Sequence, residues 1–181
     1  MTQADRFKEE GLALFQQGKR SQAVAKFEEA IKLYLAEKNQ AGQAEALNNI
    51  GVIQRLQGNR DAALTALRKA ETIFGELGDH NRQGQALGNL GDLYAAKRRQ
   101  RDEAARCYSQ AAALFAQSND PAKQSQVLRA MGILAIRNGR WFEAMSRMEE
   151  SIRINPRPSL GQRLFRWLIR FVMGMGGGQA A

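Results

Sequence analysis

Glycines at positions 11, 51, 91 and 132 stand 40, 40 and 41 residues apart, each inside a stretch of helical periodicity. A glycine within a helix costs about 1 kcal/mol relative to alanine. Four of them in one phase therefore imply that another helix approaches too closely for a side chain to fit. A period of this length marks a chain built from repeated supersecondary units. After each glycine comes a turn: Gln17-Gly18-Lys19, Gln57-Gly58-Asn59 and Asn138-Gly139-Arg140. Glycine enters the left-handed conformation without strain, so these three turns read as helix C-caps. In the third unit Lys97-Arg98-Arg99-Gln100-Arg101 replaces the glycine turn and adds one residue, which accounts for the spacing of 41.

A second helix then repeats its own pattern. Ala23, Ala63, Ala104 and Ala144 come first, Phe27, Leu67, Tyr108 and Met148 follow, and Ala30, Ala70, Ala111 and Ser151 close the series. Small residues flanking a bulky one suit antiparallel helical hairpins stacked in layers. One such hairpin cannot bury its apolar face alone, whereas four in a row share a continuous core. Asn119-Asp120-Pro121 is a helix start, with Asp120 as cap and Pro121 in the first turn. Aromatics at 7% and only three prolines favour helix over sheet, and 44% hydrophobic residues exclude wholesale disorder.

These residues resemble the tetratricopeptide repeat (TPR) family. Ala-Leu-Asn-Asn-Ile-Gly at 46–51 and Ala-Leu-Gly-Asn-Leu-Gly at 86–91 are similar to the long, forty-residue variety found in kinesin light chains, and the family's terminal proline is present as Pro156. The resemblance implies an all-α, right-handed solenoid of four hairpins at about 3–38, 41–78, 81–118 and 121–156. It also implies that the first helices line a concave groove. Groove-facing candidates are Lys8, Leu12, Asn48, Asn49, Arg55, Gln85, Asn89, Asp92, Arg129, Ile133 and Arg137. Asn49 and Asn89 occupy equivalent positions and are similar to the asparagine ladder with which long-repeat members grip an extended peptide. An asparagine amide offers one donor group and one acceptor, matching a peptide unit, so the ladder reads main chain rather than sequence. Units one and four carry Glu9 and Ala130 there, which leaves two rungs. Of the five-residue carboxylate clamp of chaperone-binding members, only Lys8 and Asn49 are kept.

Beyond the repeats, Pro156-Arg157-Pro158 forms a hinge and Ser159 caps a helix running to about Met173; residues 174–181 read as a flexible Gly-rich tail. Arg163, Arg166 and Arg170 share a narrow arc of this helix, while Trp167, Phe171 and several leucines occupy most of the rest. Three readings stand side by side: a cap on the open end of the solenoid, an in-plane anchor on an anionic membrane, and insertion into a partner or another copy.

Residues 1–80 balance 11 basic against 11 acidic side chains, and residues 81–181 carry 16 against 7, so the whole formal charge of +9 lies in the second half. This polarity makes nucleic acid a third-ranked class of partner, behind a protein segment and a membrane surface. The basic run at 97–101 lacks the aromatic residues that would stack bases and reads as a solvated turn. One cysteine, Cys107, and one histidine, His80, supply neither a disulfide nor a ligand cluster, and adjacent glutamates on a helix diverge by 100°. The expectation is therefore a non-catalytic scaffold without metal or cofactor. Cytoplasmic placement, peripheral to a membrane in the anchor reading, follows from an N-terminus without an apolar run and from a longest apolar segment interrupted by Arg166 and Arg170.

Overall fold

The computed structural model describes residues 1–176. Among them are nine α-helices: α1 Gln3–Gln16, α2 Arg20–Ala36, α3 Gln40–Gln57, α4 Arg60–Glu76, α5 His80–Ala95, α6 Arg101–Gln117, α7 Pro121–Arg137, α8 Trp141–Ile154 and α9 Leu160–Gly176. Helices α3, α5 and α7 start at equivalent caps, where Asn39, Asp79 and Asp120 accept from the backbone N–H three residues on. Each of these bonds satisfies one donor that the first helical turn leaves free. Thr2 and Asp5 form a reciprocal capping box at α1, and Ser159 and Gln162 form another ahead of α9.

Every helix packs against its neighbours in the chain, so α1/α2, α3/α4, α5/α6 and α7/α8 form four hairpins stacked in sequence order. The repeating glycines lie at the hairpin crossings. A Cβ added at Gly51 would lie 2.5 Å from the Leu67 side chain, and one at Gly91 would lie 2.5 Å from the Tyr108 ring. Gly11 and Gly132 meet Phe27 and Met148 in the same way. Each interhelical glycine thus receives the bulky residue at the centre of the small–bulky–small pattern, and its missing side chain sets the helix separation.

Gly18, Gly58 and Gly139 all have positive φ, as their C-cap reading requires. The turns between hairpins use the same conformation at Lys38, Gly78 and Asn119, two of which are not glycine. Asparagine tolerates this region; Lys38 carries the larger steric cost. In the third unit the glycine turn is replaced by a single turn of 3₁₀-helix, Arg98–Gln100.

The core follows the hairpin stack. Its largest cluster joins Leu67 of α4, Leu90 and Leu93 of α5, Tyr108 and Phe115 of α6, and Leu128 and Met131 of α7. Phe27, Tyr34 and Phe74 fill the first two hairpins. Cys107 is half-buried against the main cluster, and burial pushes its thiol above the usual range. After the Pro156–Pro158 hinge, α9 packs on α8 and extends to Gly176, so Gly174–Gly176, expected in a flexible tail, are helical. The rest of that expected tail, 177–181, lies outside the described residues.

Candidate functional site

Helices α1, α3, α5 and α7 share one face of the stack, with α1 touching α3, α3 touching α5, and α5 and α7 lining a common depression. Three depressions run along this face. The first, about 320 Å³, is lined by Lys8 and Leu12 of α1, Asn48 and Asn49 of α3, and Gln85 of α5. The second, about 390 Å³, takes Gln85, Asn89 and Asp92 from α5 and Arg129 from α7. The third, about 310 Å³, takes Arg55, Asp92, Ile133 and Arg137. All eleven groove-facing candidates therefore line three contiguous shallow sites. Each site is at the small end of ligand pockets, which suits individual side chains of an extended segment.

The two asparagine rungs differ in their surroundings. The Asn49 side chain has no hydrogen-bond partner among the described residues, whereas the Asn89 amide donates to Asn48 Oδ1 of the adjacent repeat at 3.0 Å. Asn89 keeps its carbonyl oxygen and one N–H for a ligand, and Asn48 serves to orient it.

Charges on this face are paired at the α1 end, and on α7 Lys123 is paired with Asp120 at 3.2 Å while, among the described residues, two arginines are not paired. Lys8 bonds Glu45 at 2.9 Å, Glu45 also meets Arg82 at 2.9 Å, and Arg82 reaches back to Asp79 at 2.7 Å. Lys8 is thus neutralised within the fold. Arg55 lies 3.6 Å from Asp92, and the other Asp92 oxygen accepts from the Tyr108 hydroxyl at 2.7 Å. Burial, with the Asp92 carboxylate beside it, pushes the Tyr108 hydroxyl well above its usual range, so it stays a donor. Gln85 donates to Asn81, which also accepts from Lys123 and donates to Asp120. The Lys123 backbone N–H, and then Asn81, hold the Asp120 carboxyl below its ordinary value. By contrast, Arg129 and Arg137 have no carboxylate partner among the described residues.

Glu45, Arg82, Asn81 and Lys123 were not legible as site residues in the sequence. Their partners lie on other repeats, and only the inter-repeat rotation brings them together. The repeat spacing itself was the one available signal, since Asn48–Asn89 and Asn81–Lys123 are separated by 41 and 42 residues.

The tail candidates form a separate group. Arg166 bonds Glu149 of α8 at 2.7 Å, while Arg163, Trp167, Arg170 and Phe171 line a cleft of about 610 Å³ between α8 and α9. Among the described residues no group of three or more His, Cys, Asp or Glu could hold a metal ion, and no helix is long and apolar enough to cross a membrane.

Stacked helical hairpins with interhelical glycines, presenting an open polar face, define a helical-repeat scaffold of the tetratricopeptide type. The model of the soluble NSF attachment protein family, SNAP, matches residues 3–170, and the chain belongs to that family of TPR-like repeats. Photosystem I assembly protein Ycf3 of Prochlorococcus marinus (strain NATL1A) is 34% identical over 89 residues, 49% of this chain and 46% of that protein. Ycf3 of Synechococcus sp. (strain CC9311) is 29% identical over 138 residues, 76% of this chain and 73% of the relative. The chain spans about half the length of the first of these curated relatives. The crystal structure of BtubC (BKLC) from P. vanneervenii superposes with a TM-score of 0.74 at 22% identity, covering 86% of this chain and 68% of that one. At that identity the likeness concerns the fold.

Proposed function

We propose that this protein is a non-catalytic interaction scaffold that holds an extended segment of a protein partner along the face built by α1, α3, α5 and α7. The observation that carries this reading is the order of groups on that face: asparagine amides in the middle, then arginines without carboxylate partners on α7. Asn49 and Asn89 offer main-chain recognition, which places the segment without demanding a sequence. Arg129 and Arg137, with the exposed Ile133 between them, favour acidic side chains around one apolar residue. Lys8 and Arg55 are engaged with Glu45 and Asp92, so they shape the face rather than attract charge. The Ycf3 relatives are named as assembly proteins. An assembly role, in which a bound segment is held until its complex is complete, suits an open groove that grips by repetition.

An array of extended peptides of graded charge tests this. Wild type is expected to retain acidic peptides. The Asn49→Ala/Asn89→Ala variant should lose about thirty-fold on all retained sequences, each of the two hydrogen-bonded amides being worth about 1 kcal/mol. The Arg129→Glu/Arg137→Glu variant should reverse the charge preference. Retention unchanged by the asparagine variant would remove the groove as the working surface.

A further inference from the structure

α9 is amphipathic, yet it hides little of its apolar surface. Ile169 is its one buried residue among those described, at 3% exposed. Leu160 and Leu164 are 82% and 66% exposed, and Trp167 and Phe171 are 62% and 54% exposed. At 100° per residue, Ile169 lies opposite Leu160, so an apolar arc from Trp167 round to Val172 points away from the solenoid. Arg166 bonds Glu149 and pins the inner edge to α8. Arg163 and Arg170 follow along the outer edge, next to Trp167. The Trp167 and Phe171 rings are stacked, with centroids 5.8 Å apart and planes within 14°. Arg153 joins Arg163 and Arg170 around the same cleft. From Ser151 onward the sequence has five arginines and no acidic residue.

We propose that α9 is a docking helix for the surface of an anionic lipid bilayer. Its apolar arc lies in the boundary between headgroups and acyl chains, the stacked aromatic pair sits at headgroup level, and Arg153, Arg163 and Arg170 meet lipid phosphates and carboxylates. Charge selects this occupant. Pairing two α9 helices antiparallel across the arc would bring a purely cationic edge against its like, whereas an anionic bilayer offers opposite charge beside apolar depth. Among the described residues no helix is long and apolar enough to cross a membrane, and the arginines along one side of α9 place it in the plane of the surface. A helix that served only to cap the stack would present its apolar side inward, and α9 presents most of it outward.

The test is co-sedimentation of the full chain with vesicles of phosphatidylcholine alone or mixed with phosphatidylserine, with dimerisation followed by sedimentation equilibrium without lipid. The chain should sediment with the anionic vesicles, weakly with neutral ones, and less as salt rises. Arg163→Gln/Arg170→Gln should lower partitioning onto anionic vesicles about 25-fold, each arginine near the surface being worth about five-fold. Trp167→Ala/Phe171→Ala should abolish it. All four side chains are largely solvent-facing, so far-UV circular dichroism should match wild type in both variants. Asn49→Ala/Asn89→Ala should sediment like wild type, which separates this inference from the groove reading. No sedimentation with phosphatidylserine, binding indifferent to these tail substitutions, or a dimer abolished by Trp167→Ala/Phe171→Ala would each overturn it. The last outcome would assign the face to a second copy of the chain.

Discussion

At Gly91 a hydrogen atom stands where any Cβ would lie 2.5 Å from the Tyr108 ring, and moving the ring aside would strain the bond from its hydroxyl to Asp92. One turn earlier in the same helix, Gly88 has only a Val127 methyl within 3.9 Å, an ordinary contact distance. The same substitution at the two sites should therefore act in opposite directions. Gly91→Ala is expected to destabilise by about 1–3 kcal/mol through overpacking. Gly88→Ala should stabilise by about 1 kcal/mol through helix propensity. Urea melts of the two variants check both signs. The sequence distinguishes the two glycines through the forty-residue register, to which only Gly91 belongs. It does not show the Tyr108–Asp92 bond, because nothing in the spacing says which carboxylate the ring will reach.

Helix boundaries were the most legible part of the chain, since caps are local chemistry. Asp120 and Pro121 start α7, and Ser159 precedes α9, with no need of tertiary information. Asp120 also gives α7 a pH response. The Lys123 backbone N–H, and then Asn81, hold its carboxyl below the ordinary value of 3.8. A depressed carboxyl contributes stability above its unfolded pKa and loses it as pH falls through the folded one. Asp120→Asn keeps a capping oxygen without the charge. Its melting temperature should fall less than that of wild type on acidification from about pH 5 to about pH 2, and parallel curves would place the acid sensitivity elsewhere. The environment of α9 was less legible. Its amphipathic pattern is plain in the sequence, but which part of a wide apolar arc turns inward depends on the end of the stack, and among the described residues Ile169 alone does so.

The whole molecule is a row of hairpins in which each touches only its neighbours, so its stability is expected to be graded along the row. The largest cluster joins α4 through α7, while α9 contributes one buried side chain among the described residues. Native-state hydrogen exchange should find the slowest amides in α5 and α6 and the fastest in α1 and α9; uniform protection would mean that the stack opens as one unit. The same linear order separates the charges. The α1–α4 half balances to zero, and the arginines gather toward the α9 end. The molecule is accordingly an electric dipole laid along its own stacking direction. In the field of an anionic surface it turns before it touches, cationic end first, and this pre-alignment is strongest when the Debye length is long. Orientation would then be settled in solution, so that whatever the asparagine face holds arrives at the surface already aimed.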